Sequence, residues 1–208
     1  MNPLENKEFS QVETVNEKAQ QILEGALQEF LVHGYAATSM DRVAASAGVS
    51  KATVYSHFGD KEGLFVALVK RLAQKKYQTI VELHNPELMK AKPQVVLRQV
   101  AAKLLDTTND QEYLSFVRLI IGESGRFPQL AQTFVKNLGK PGIEVLAQYL
   151  GSNPQLKISD PVATARVMIG ALIHYVLMQE ILSGGEIVPM ERDRLINTLV
   201  DLIAPPEV

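Results

Sequence analysis

The chain has 208 residues, 46% of them apolar and 21% charged, with a formal net charge of -2. That composition is ordinary for a soluble globular protein with one or two cored domains; it excludes a disordered or fibrous chain, and the lack of a basic excess argues against a protein that coats nucleic acid through bulk charge. With no Cys there is neither a disulfide framework nor a thiolate zinc site, and the start, MNPLENKEFSQVET, lacks the apolar segment of a signal peptide, so a cytoplasmic protein is expected.

Residues 1–13 carry Glu5, Glu8 and Glu13 against Lys7 without apolar periodicity and read as a flexible arm. Thr14 and Glu17 then form a capping box, and Val15, Ala19, Ile22, Ala26 and Phe30 share one face of a helix predicted to end at Gly34.

The next stretch, SMDRVAASAGVSKATVYSHF from Ser39 to Phe58, carries the strongest local signals. Ser39 is a good N-cap, and Met40, Val43, Ala44 and Ala47 fall at the i, i+3, i+4, i+7 spacing of a buried helical face. Gly48 suits the left-handed position that ends a helix, with Val49 folding back as the apolar closure of a Schellman-type turn. Ser50 caps a second helix whose apolar stripe is Val54 and Phe58, leaving Lys51, Ala52, Thr53, Tyr55, Ser56 and His57 outward.

Two short helices joined through a glycine can place the second in a DNA major groove while the first braces it on the backbone, and the outward residues can donate to phosphates or base edges. Local charge adds little: between Tyr35 and Lys61, Arg42, Lys51 and Lys61 face Asp41 and Asp60. The wider run HGYAATSMDRVAASAGVSKATVYSHFGDKEGLF, His33 to Phe65, closely resembles the DNA-binding domain of the TetR family of transcriptional regulators. Gly34, Thr38, Val43, Ala44, Gly48, Val49, Tyr55, Phe58, Lys61 and the Glu62 to Phe65 run carry the match. On this reading residues 15–75 form the DNA-binding domain, with the helix-turn-helix at 39–58. The expected DNA-contacting residues are Thr38, Ser39, Arg42, Ser50, Lys51, Ala52, Thr53, Tyr55, His57 and Lys61, with the last on a phosphate as the resemblance implies.

Asp60 caps a helix that its apolar positions Leu64, Leu68, Leu72 and Ile80 carry into the low 80s. It joins the DNA-binding domain to residues 76–208 without a flexible linker. Pro86 and Pro93 bracket a loop, and turn signals divide the remainder into predicted helices near 94–106, 111–121, 128–137, 142–150, 161–182 and 190–203. Pro128, Pro141 and Pro161 are read as first helical positions, and Gly184 with Gly185 as the end of the longest C-terminal helix. No stretch alternates like a strand, so the fold class is all-α: an N-terminal three-helix bundle with a helix-turn-helix, then a larger helical regulatory domain. RLIIGESGRFPQL, Arg118 to Leu130, is similar to a stretch of TetR-type proteins with AefR-like regulatory domains.

Chemistry is poorly represented. The histidines His33, His57, His84 and His174 show no i, i+4 pair, Gly122-Glu123-Ser124-Gly125 lacks the spacing of a nucleophile elbow, and no phosphate-binding glycine pattern occurs, so neither an enzyme nor a metal or cofactor is expected. The longest apolar run, Val167 to Met178, is broken by His174 and falls short of the ~20 residues a bilayer requires.

The resemblance implies a homodimer, a palindromic double-stranded DNA operator, repression, and release by a small-molecule effector. Helices near 161–182 and 190–203 are expected to form the dimer. Leu104, Leu105, Tyr113, Phe116, Ile120, Phe134, His174, Tyr175 and Met178 are the candidate lining of a pocket for an apolar or amphipathic ligand, although they also read as core or interface residues. The alternative is a helical ligand-binding or scaffold protein without DNA-binding activity, which burial of Lys51, Tyr55 and His57 would favour.

Overall fold

The computed structural model describes the backbone of residues 3–81 and 90–205, and within these the side chains of 17–73, 90–106 and 108–205. The expectations for Thr14, Val15, Ile80, His84 and Pro86 concern side chains outside that set. All regular structure among the described residues is helical. The chain forms two compact units, Met1–Arg71 with Leu119–Thr133 and Leu72–Arg118 with Phe134–Val208. The division falls inside a helix near the expected boundary, but Leu119–Thr133, read from sequence as part of the second domain, belongs to the first unit.

The first unit opens with α1 (Pro3–Ala37), broken at Gly34, where φ is 73° and ψ 169°. The helical backbone begins at Pro3, ahead of the Thr14 start read from sequence; no Gly or Pro interrupts the chain from residue 4 until Gly25. Ile22, Leu23, Ala26, Leu27 and Phe30 are buried along it. Helix α2 (Met40–Ser46) packs against α1, and a Cβ at Gly25 would lie 2.9 Å from the Ala47 amide nitrogen, so the mid-helix glycine permits that approach. Helix α3 (Lys51–Phe58) crosses α2, and α4 (Lys61–Val81) buries Leu64, Phe65, Leu68 and Val69. Phe30, Tyr35 and Phe65 form an aromatic cluster with centroids 5.6 to 5.7 Å apart.

The second unit contains α5 (Pro93–Leu105) and most of α6 (Gln111–Glu123), joined by a 3-10 turn. Helix α7 (Pro128–Phe134) runs through a π turn, Val135–Gly139, directly into α8 (Lys140–Ser152). Sequence reading made these two separate helices with Pro141 opening the second. Pro141 does stand in the first turn of α8; the break expected before it is replaced by the wider turn, in which the Lys140 N–H donates to Val135 O.

Helix α9 (Pro161–Val176) ends in a second π turn, Leu177–Ile181, and α10 (Arg192–Ile203) closes the unit against α5. Arg98 Nε donates to Asn197 Oδ1 at 3.0 Å, and Arg192 pairs with Asp106 at 2.6 Å. The end of α9 differs from expectation: Ser183, with φ 54°, takes the left-handed position expected of a glycine, and Gly184 N–H donates to Met178 O. Pro161–Ile181 is a helical run of 21 residues that by length and composition alone could cross a membrane; in this structure it packs along α8.

Candidate nucleic-acid interface

The reader is built by two caps and one turn. Ser39 Oγ accepts from the Arg42 N–H at 3.3 Å and fixes the start of α2. At the other end Gly48 has φ 64°; its N–H donates to Ala45 O at 3.2 Å and the Val49 N–H to Ala44 O at 3.0 Å. These are the two bonds of a Schellman motif, the turn read from the sequence. Ser50 Oγ then accepts from Thr53 N–H at 3.1 Å and starts α3.

Val54 is fully buried beneath α3, with Met40, Val43 and Ala44 below α2, while Phe58 is half-buried. Lys51, Ala52, Tyr55 and Ser56 are exposed, Thr53 is partly so, and Tyr55 retains 43% of its accessible surface. Arg42, Ser39 and Ser50 are exposed around the same turn.

Four of the expected contact residues carry engagements that the sequence did not reveal. Lys51 Nζ lies 2.7 Å from Asp41 Oδ1 and 5.8 Å from the centroid of the Tyr55 ring, and the Asp41 hydrogen bond, then its charge, raises the Lys51 pKa. Asp41 was not among the expected residues; a charge of opposite sign ten positions earlier gives no signal until the turn brings the helices together. His57 is half-buried, its Nδ1 2.8 Å from Thr53 O, and its Nε2 is buried without a hydrogen-bond partner. Thr38 is only 2% exposed, and its hydroxyl is aimed at Gly34 O (2.8 Å) and Glu29 O (3.0 Å), so it stabilises the end of α1 from inside.

Lys61 departs furthest from its expected place. Its ammonium donates to Tyr35 O at 2.8 Å, Thr38 O at 2.9 Å and Ala36 O at 3.2 Å, and sits 4.5 Å from the Tyr35 ring centroid. All three ammonium protons thus have carbonyl partners, and desolvation lowers its pKa while Glu123 partly opposes that. Rather than standing free for a phosphate, this ammonium caps the C-terminal carbonyls of α1.

Residues 22–68 match the bacterial regulatory proteins of the tetR family, and residues 95–204, more than half of the chain, match the C-terminal domain of AefR-like transcriptional repressors. The chain belongs to the TetR family. The transcriptional repressor AcnR of Corynebacterium efficiens is 39% identical over 71 residues, 34% of this chain and 38% of that protein, so the similarity to this curated relative covers well under half of its length. Solved structures align far more widely. A TetR-family transcriptional regulator from Mesorhizobium loti is 28% identical with a TM-score of 0.69, covering 90% of this chain and 95% of its own. The flavonoid-responsive regulator FrrA is 30% identical with a TM-score of 0.65, covering 89% of this chain and 92% of its own.

The expected pocket residues divide. Leu105 and Phe116 are buried in the second unit, where Leu104, Tyr113, Phe134, Tyr175 and Met178 are half-buried. Leu104, Leu105 and Tyr175 belong to one apolar cluster with Met168 and Leu172. Burial, with a smaller contribution from Asp110, pushes the Tyr113 phenol up to about 12. Ile120 is buried but belongs to the first unit, and His174 is exposed on α9, so neither joins that set.

Proposed function

We propose that this TetR-family protein is a homodimeric repressor that binds a palindromic operator in the cytoplasm and leaves it when a small apolar or amphipathic molecule enters the second unit. The observation that carries the DNA-reading role is the exposed N-terminal half of α3, Lys51 to Ser56, presented by a Schellman turn over a buried Val54. A recognition helix meets base edges with such N-terminal residues. Burial of Lys51, Tyr55 and His57 would favour the scaffold alternative; Lys51 and Tyr55 are exposed and His57 is half-buried, which weighs against it.

The dimer is inferred from α9. Val162, Val167 and Ile173 are 52 to 64% exposed, and Gly170 between them is open on its Cβ side, a combination that suits close approach of a second copy of the helix. The exposed face of α10 is instead polar, with Asp193, Arg194, Asn197, Thr198 and Asp201, apart from Leu202. The part of α10 in the dimer is therefore proposed to be smaller than that of α9.

Repression and effector release draw support from the relatives: AcnR is a repressor, and FrrA is flavonoid-responsive. Tyr113, a largely buried phenol on α6 one turn before buried Phe116, sets a polar group beside apolar side chains, a composition common in small-molecule sites. Selection of bound fragments from genomic DNA by the purified protein tests the reading. Recovery of a shared inverted repeat supports it, and recovery of no enriched sequence overturns it.

A further inference from the structure

The end of α6 and the turn after it hold GESG, Gly122 to Gly125, the motif that neither the reader nor the candidate pocket has absorbed. Glu123, the last residue of α6, directs Oε1 to the Tyr35 N–H at 3.1 Å. That amide follows the break at Gly34, where the α1 ladder is interrupted, and Tyr35 is 6% exposed, so water cannot readily replace the carboxylate. A Cβ at Gly34 would lie 2.9 Å from the same oxygen, so both the backbone conformation and the carboxylate's approach call for glycine there. Phe127, just beyond, meets the Tyr35 ring edge-on at 5.0 Å.

The segment so held is the one whose carbonyls Lys61 caps, and it runs directly into Ser39, the N-cap of α2. Helix α6 carries a second clamp slightly more than one turn earlier. Arg118 donates to Glu180 O at 2.6 Å and to Ile181 O at 3.3 Å, in the π turn that ends α9. Gln111–Arg118 belongs to the second unit and Leu119–Glu123 to the first, so one continuous helix bears both clamps.

We propose that Glu123 is a positioning residue of the DNA reader: its carboxylate fixes the break in α1, and with it the start of α2, and passes displacement of α6 to the reader. This rests on the DNA-reading role proposed above. A carboxylate acceptor makes a charge-assisted bond to the amide, stronger than a neutral acceptor would give. A rigid helix with a clamp at each end of a short span moves both clamps together.

The test uses the full-length protein with Glu123→Ala, Glu123→Gln, Arg118→Met and the double variant Arg118→Met with Glu123→Ala. Amide exchange is followed over residues 35–43, with residues 142–152 of α8 as control, and affinity is measured for a genomic fragment selected by the wild type and for random DNA. Glu123→Ala is expected to speed exchange over 35–43 by about 10-fold or more with the control unchanged, and to weaken the selected fragment by about 5-fold while random DNA stays within about twofold. Glu123→Gln, which keeps an acceptor but loses the charge, is expected to fall between the wild type and Glu123→Ala. Arg118→Met is expected to alter exchange over 35–43 only when Glu123 is present, since coupled clamps are not additive.

Unchanged exchange in Glu123→Ala, unchanged affinity for the selected fragment, or an Arg118→Met effect that persists in the double variant overturns the proposal. Glu123→Met, which keeps the stem and loses the acceptor, replaces Glu123→Ala if the latter does not fold. If the wild type selects no fragment, the DNA-reading role fails, and the exchange measurements alone then decide whether the clamp exists.

Discussion

The ammonium of Lys61 lies 2.8 Å from the Tyr35 carbonyl oxygen and 4.5 Å from the centroid of the same residue's ring. One side chain from the first turn of α4 therefore closes the carbonyl end of α1 and packs on the aromatic cluster in its core. A cation at the C-terminus of a helix is also favourably placed against the helix dipole.

Lys61→Ala is expected to act mainly through folding. Losing three charge-assisted bonds to carbonyls, whose replacement by water is easier at this half-buried site than in a core, costs about 1 to 3 kcal/mol. Denaturant unfolding of the variant measures this. Binding to all DNA sequences should weaken alike. A variant of wild-type stability with a lower salt dependence of DNA binding would instead show that Lys61 leaves its carbonyls for a phosphate.

Gly48→Ala isolates the cost of the turn. Nothing lies within 4 Å of an added Cβ, so sterics against neighbours contribute nothing, and the cost is that of a φ of 64°. About 1 to 2 kcal/mol of stability should be lost, with Gly48→Asn losing less because Asn tolerates this conformation. Unfolding followed by helical circular dichroism compares the two.

What could be read from sequence was local. Ser39, Gly48, Val49 and Ser50 act through partners within five residues, and both caps and the two Schellman bonds are present as read. The partners of Lys51 and Lys61 lie across turns, as do those of Tyr35, and one sequence offers no register between helices from which to infer them. Pro141 marks the first turn of α8 as read, but the π turn that joins α8 to α7 without a break leaves no local pattern to read. Leu119–Thr133 follows from chain order into the second domain but packs by tertiary contact into the first unit. For the pocket, apolar residues at helical spacing look the same whether they fill an interior or line a cavity. Exposure separates His174 from the others, and nothing in its neighbouring residues announced that.

The dimer reading makes Val167→Glu informative. Val167 is 64% exposed on α9, so the substitution should leave each subunit folded while placing two like charges at a self-complementary interface. Sedimentation at micromolar concentration is expected to show a dimer for the wild type and a monomer for the variant. Operator affinity should fall with dimerisation, because the two recognition helices would no longer be held about one DNA turn, roughly 34 Å, apart. A wild-type monomer, or a variant that dimerises normally, counts against the interface.

Alkaline unfolding should report Tyr113. Its ordinary value is 10.0 and burial, then Asp110, raises it to about 12, so the folded state favours the neutral phenol. The contribution is fully present below pH 10 and is lost as pH rises through 12, the loss reaching about 2 kcal/mol at pH 12. Tyr35 and Tyr149 are raised as well, so the measure is a difference: Tyr113→Phe should destabilise less than the wild type as pH rises through that window. Parallel stability curves for the two proteins would place Tyr113 in a wetter site.

Lys51 decides whether the start of α3 reads sequence or only holds DNA. Its partner Asp41 is as exposed as it is, at 64% against 58%, so the 2.7 Å pair orients the ammonium without fixing it, and water or DNA can replace the carboxylate at small cost. If the ammonium reaches a guanine edge, Lys51→Ala should cost roughly 1 to 3 kcal/mol at one base position in each half-site and little elsewhere. If it reaches only a phosphate, the loss should be uniform across sequences and the salt dependence should fall by about one ion per subunit. Asp41→Asn supplies the complementary measurement: freeing Lys51 from its partner should strengthen binding to random DNA more than binding to the operator, lowering the ratio between them. Titrating both variants against a panel of single-base operator changes at two salt concentrations separates these outcomes. Wild-type binding by Lys51→Ala on every sequence would remove the opening of α3 from the DNA-binding surface.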